Sequence, residues 1–218
     1  MEFVQTIVRF FEAGGAMMFP ILVVGAVGAA IVVERYVTLT LVKARNQSVW
    51  KQLEPALQSG DFDKAREMTS NDKSAMAQLL SIGLSRQGAV RRREDIEIAM
   101  EESMMEIMPQ LEKRTGYVGL AANVATLLGL LGTVMGLIQA FTAVANANPA
   151  EKADLLGAAI AVAMNTTAFG LLVAIPLLVS HSVLTTKTAQ FVAGLEMASV
   201  KTLNAIQSTA KRQFQVAA

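Results

Sequence analysis

Three uncharged runs constrain this chain more than any other feature. Residues 13–33, 115–150 and 155–186 contain no Asp, Glu, Lys or Arg over 21, 36 and 32 positions. Crossing roughly 30 Å of hydrocarbon takes about 20 helical residues, so each run is long enough for one span. Over all 218 residues the charged fraction is 17% against 53% apolar, and the clustering of those apolar residues decides the class. The expected fold is an all-α integral membrane protein with transmembrane helices at 13–33, 115–145 and 155–180.

The segments between the spans have different characters. Residues 1–12 place Phe3, Val4, Ile7, Phe10 and Phe11 at helical spacing between Glu2, Gln5, Arg9 and Glu12. That pattern suits an interfacial helix rather than a cleaved leader, since it lacks a basic start and an A-x-A-type site. Segment 34–114 holds thirteen of the 19 basic residues and 187–218 holds four, whereas 1–12 and the short turn 146–154 hold one each. Positive residues stay inside, so 34–114 and 181–218 are expected in the cytoplasm, with the N-terminus and the turn outside.

Within the insert, "SGDFDKAREM" (59–68) reads as a turn with Asp61 capping a helix, and "SNDKS" (70–74) reads as a loop. Gly88 is expected to close a helix that opens near Ser74. From about 92 to 145 nothing but Pro109 interrupts a helical pattern. The expectation is one helix of roughly 80 Å at 1.5 Å per residue, kinked at Pro109. After the turn, the third span continues as a helix into the C-terminal segment, so two very long helices extend into the cytoplasm.

The second span, "ANVATLLGLLGTVMGLIQAF" (122–141), carries Gly129, Gly132 and Gly136 around Thr133. The third carries Asn165, Thr166, Thr167, Gly170 and Pro176. With residue 150 as the centre of the turn, Thr133 and Thr167 each lie 17 residues away, and so share a depth about 18 Å below the outer helix ends. The small residues let helix backbones approach closely in lipid. Two readings of the threonines stay open: polar groups for an ion, or hydroxyls that bond carbonyls within a packing seam. Pro176 frees a carbonyl near Leu172, as a kink or a polar gap.

No ionisable acid or base lies inside a span, although a proton path normally uses one. The chain alone is therefore an incomplete proton-coupled machine. His181, the only histidine, has no second ligand at metal spacing and reads as interfacial or packed. "RRRED" (91–95) reads as a solvated helix start with an Arg91–Asp95 pair. The methionines of "ESMMEIM" read as core filler. Cysteines are absent, which excludes thiol chemistry. No metal site, cofactor site or catalytic triad is found, so the chain is not expected to be an enzyme. A net charge of +1 argues against a nucleic-acid face.

"LLGLLGTVMGLIQAF" (127–141) and "NTTAFGLLVAIP" (165–176) resemble the MotA/TolQ/ExbB family, most closely its ExbB and TolQ branch, over nearly the whole chain. The resemblance implies a homopentameric ring in the bacterial inner membrane around two copies of an ExbD- or TolR-like single-span partner, whose membrane aspartate binds the ion. A TonB- or TolA-like protein is implied as a further partner. Thr133 and Thr167 fall on the family's pore-lining threonines, with Asn165 and Thr166 beside them. The implied ion is H+, with Na+ raised as the alternative by the Asn165–Thr166–Thr167 cluster, and the implied role is a stator coupling proton motive force to mechanical work. The family usually has a glutamate early in the third span, where this chain has Val162. A competing expectation is a passive scaffold that holds a single-span partner without conducting ions.

Overall fold

The computed structural model describes residues 11, 14–87, 92–145 and 147–216. Among these residues the only regular elements are helices: α1 (Met18–Ser59), α2 (Phe62–Ser70), α3 (Ala75–Ser85), α4 (Arg93–Glu112), α5 (Thr115–Ala145) and α6 (Lys152–Val216). Three helices among the described residues are long and apolar enough to cross a membrane. The interfacial helix expected at 1–12, the closing Gly88 and the Arg91–Asp95 pair fall on residues outside those described.

Helix α1 runs 42 residues without a break. Pro20 is in the first turn, where its missing N–H has no partner to lose, whereas Pro55 lies inside the helix and forgoes one hydrogen bond there. The helix ends where Gly60 takes φ 78°. Asp61 N then bonds Ala56 O at 3.0 Å and Gly60 N bonds Leu57 O at 3.3 Å, which consumes two orphan carbonyls. Asp61 caps α2 as expected, accepting from Lys64 N at 3.2 Å.

The single kinked helix expected over 92–145 is two helices. The chain leaves helical backbone at Lys113, with ψ 132°, and at Arg114, with φ 65°. Pro109 stays inside α4; its fixed φ suits a helix and it forgoes one hydrogen bond. Arg114 is a non-glycine residue in left-handed backbone, a conformation that surrounding contacts must hold. Its guanidinium bonds the Glu34 carboxylate at 2.5 Å, and its carbonyl accepts from Tyr117 N at the start of α5.

The chain divides into two compact units. The first comprises the chain up to Arg35 together with Arg114–Leu184. Its α5 and α6 are bridged by small residues, and α1 joins them where Gly25 meets Val173 and Gly28 meets Leu177. In the best spanning window of each candidate span only 22%, 22% and 33% is buried within the chain. Side chains such as Leu127, Phe141, Leu172 and Val179 are thus left to lipid or to other chains.

The second unit, Tyr36–Lys113 with Thr185–Ala218, has a side-chain core of its own. Leu53, Leu79, Leu80, Leu84, Met100 and Leu195 are almost wholly buried there. Polar links fix the short helices. Asn46 on α1 accepts from Met76 N at 2.6 Å and donates to Val42 O at 2.7 Å. Ser74 caps α3 by accepting from Ala77 N at 3.2 Å. Arg66 donates to Leu84 O at the other end of α3.

Candidate functional site

The α5–α6 seam is built from residues that lack bulk. A Cβ added at Gly170 would stand 2.8 Å from Ala125 O and 2.9 Å from Gly129 Cα. One at Gly129 would stand 3.2 Å from Gly170 Cα, so the two glycines mark the closest approach of the helices. Further along, Gly132 faces Thr166 and Gly136 faces Ala163. Leucine at these positions would push the helices apart, which explains the small-residue stripes at intervals of three and four.

The threonines lie on and beside this seam. Thr167 Oγ1 donates to Gly129 O at 2.8 Å, crossing from α6 to α5. Thr133 Oγ1 donates to Leu130 O at 2.6 Å, within its own helix. Two hydroxyls from different helices therefore end on consecutive carbonyls. Thr166 is 2% exposed, and its Oγ1 lies 2.7 Å from Gly14 O and 3.0 Å from Val162 O. One hydroxyl proton serves one of these carbonyls at a time.

The contacts of Gly129, Gly132 and Gly136 set the helix register slightly differently from a turn centred on residue 150. Thr133 comes level with about Asn165, and so stands about 3 Å along the axis from the level of Thr167. Asn165 is half-buried and follows from helix geometry on the face of α6 away from α5, at about 100° per residue. The polar cluster of the sequence is thereby divided: Thr166 and Thr167 serve the seam, and Asn165 is turned from it. Pro176 is exposed within an unbroken α6. His181 packs its ring against Gly119, 3.3 Å from where a Cβ would stand.

Two participants were missing from the sequence reading. The Gly14 carbonyl receives Thr166, and nothing in the sequence links positions 152 residues apart. Thr126 lies seven residues before Thr133, on the same margin of α5, and donates to Ala122 O at 3.1 Å. Its helical spacing from Thr133 was the available signal.

Chemically, the seam offers hydroxyl and carbonyl oxygens and no carboxylate, since the uncharged runs of the sequence contain none. Each hydroxyl, once it donates, keeps lone pairs that can accept from a proton donor or face a cation. Among the described residues no group of three or more His, Cys, Asp or Glu could hold a metal ion.

The profile of the MotA/TolQ/ExbB proton channel family matches residues 71–197, more than half of the chain and inclusive of the seam. The chain is 29% identical over 197 residues to an ExbB homolog of Methanothermobacter thermautotrophicus, covering 84% of this chain and 64% of that one. It is 41% identical over 73 residues to the biopolymer transport protein exbB1 of Vibrio cholerae, covering 34% of this chain and 32% of that protein. Against the Tol-Pal system protein TolQ of Haemophilus influenzae it is 34% identical over 84 residues, 38% of this chain and 36% of that one. The chain thus spans just under two thirds of the first of these relatives and about a third of the other two. With three helices able to span a membrane, it is a multi-pass membrane protein belonging to the MotA/TolQ/ExbB proton channel family, in the ExbB and TolQ branch.

Proposed function

We propose that this chain is the ring-forming subunit of an ion-driven motor in the bacterial inner membrane. Five copies would surround an ExbD- or TolR-like single-span partner whose membrane aspartate carries H+, and would couple proton motive force to work on the periplasm or outer membrane through a TonB- or TolA-like protein. The helices would continue from the spans into the cytoplasm at 34–114 and 181–218. The single observation that supports this reading most strongly is the pair of threonine hydroxyls ending on Gly129 and Leu130 in a span with no acid. They offer a polar lining to which another chain must bring the carboxylate.

In this account the partner's aspartate exchanges its charge state as ions pass, and a charged carboxylate in low dielectric seeks hydroxyl contacts that a neutral one does not need. Thr133 and Thr167 supply those contacts on successive subunits when their hydroxyls turn from the Leu130 and Gly129 carbonyls to the carboxylate, so each charge change favours a new position of the partner. No enzymatic step or bound cofactor is involved. Val162 is 37% exposed and apolar, so the third span adds no acid of its own and ion handling rests on the partner.

The passive-scaffold reading has one observation in its favour: the protons of Thr133 and Thr167 are already given to backbone carbonyls. Proton uptake into liposomes separates the two. With the chain co-purified with a single-span protein bearing a membrane Asp, the motor reading expects uptake driven by a membrane potential and abolished by Thr167→Val in an intact assembly. Uptake equal to that of empty liposomes from an intact assembly supports the scaffold.

A further inference from the structure

Among the described residues, the second unit carries two open surfaces of opposite chemistry. On α4 the face opposite the buried Ile96, Met100, Ser103 and Ile107 exposes Ile98 at 61% and Met105 at 71%, the most exposed large apolar side chain among those described. Glu94, Glu101, Glu102 and Glu112 surround them on that face, all exposed. Between α1 and α6 lies a half-open groove of about 390 Å³. Lys43 and Lys51 stand in its lining with Trp50, Phe191 and Met197, and no carboxylate lines it. Gly194 forms part of its wall, and a Cβ there would meet nothing within 4 Å.

The two surfaces lie at one level. Ser199 Oγ meets Met100 Sδ at 3.7 Å, and Arg93 bonds Gln207, which fixes the antiparallel register of α4 on α6. Lys201 bonds Glu54 at 2.7 Å, which fixes the parallel register of α1 on α6. Counting from these contacts, Met105 is level with Gly194, and Glu101 and Glu102 are level with Lys51. Glu112 falls within about 5 Å of the level of Lys43 along the helix axis. Copies related by rotation about an axis parallel to these helices keep such levels matched, and a head-to-tail contact of this kind closes into a ring.

We propose that the acidic face of α4 docks into the lysine-lined α1–α6 groove of a neighbouring copy of this chain, with Met105 entering beside Gly194. The occupant is a second copy because the acidic stripe and the basic groove complement each other in charge, apolar content and level within one sequence. The inference rests on the ring reading and adds the contact that sets its direction.

The chain has no cysteine, so the test needs no background changes. Gln47 of α1 also lines the groove, and Met105→Cys with Gln47→Cys, oxidised in membranes, is expected to give a ladder of covalent oligomers up to the full ring, while each single variant stays monomeric on a denaturing gel. Glu101→Lys with Glu102→Lys added should reduce the ladder at least tenfold, and Lys51→Glu in that background should restore it. Native mass is measured in parallel. An intact oligomer without a ladder overturns the proposed contact and leaves the ring standing. Cross-linking by Met105→Cys alone would mean a two-fold contact between stripes and overturns it too. A monomer by native mass overturns the contact together with the ring.

Discussion

Thr167 on α6 donates its hydroxyl proton to the carbonyl of Gly129 on α5 at 2.8 Å, at the point where a Cβ on Gly129 would come within 3.3 Å of Thr167 Cα. Close approach and polar contact are thus one feature: the glycine that lets the helices meet also exposes the carbonyl that the threonine finds. Interhelical hydrogen bonds of this kind in membranes average about 0.6 kcal/mol and reach roughly 1–2.

Thr167→Val should therefore lower stability in detergent by about 1 kcal/mol or less, too little to dissolve the fold. The same variant is expected to abolish ion-driven activity, and Thr167→Ser is expected to retain both. Thermal unfolding beside a proton-uptake assay checks this. Equal activity of the Val and Ser variants would reduce the hydroxyl to a packing group.

Gly170→Ala places a methyl 2.8 Å from one backbone atom and 2.9 Å from another, neither of which can rotate away. Such overpacking costs typically about 1–3 kcal/mol. Gly157→Ala is the control, since a Cβ there meets nothing within 4 Å and alanine favours a helix. The expected order of melting temperatures is Gly157→Ala at or above the parent, and Gly170→Ala several degrees below it.

Much of this arrangement was legible in the sequence. Uncharged length reports spans, since charge is costly in hydrocarbon; small residues at intervals of three and four report a seam. Asp61 was readable as a cap because its carboxylate satisfies a nearby N–H. Two features were not. The break at Arg114 has no local signature, because a left-handed arginine is held by Glu34, 80 residues away. The contact of Thr166 with Gly14 is likewise set by tertiary packing, and it splits three consecutive polar residues that sequence alone groups together.

Asn46 links two elements of the second unit, so Asn46→Leu should be costly. It leaves Met76 N, a buried donor at the start of α3, without its acceptor at 2.6 Å. An unsatisfied buried donor costs about 1–3 kcal/mol. Ser74→Ala removes the adjacent cap and should cost about 1 kcal/mol. Chemical denaturation of both variants in detergent checks the order.

Asp72 gives the second unit a pH dependence. Burial pushes its carboxyl up, but hydrogen bonds from Ser74 and the Arg45 guanidinium outweigh this and hold it below the ordinary value of 3.8. A depressed acid stabilises the fold above its unfolded pKa, and that contribution is lost as pH falls through the folded one. The loss is therefore expected below about pH 4, and Asp72→Asn should weaken the protein at neutral pH while flattening its acid limb. Melting temperatures across pH 3–7 for both proteins would show it; parallel curves would count against the assignment.

The central claim is a ring that borrows its carboxylate from another chain, and native mass spectrometry tests it most directly. The protein would be released from membranes in which it is co-expressed with a single-span, membrane-Asp protein of the ExbD or TolR type. The account predicts one dominant species of five copies of this chain with two of the partner. A stable oligomer of this chain that takes up no single-span protein would contradict it.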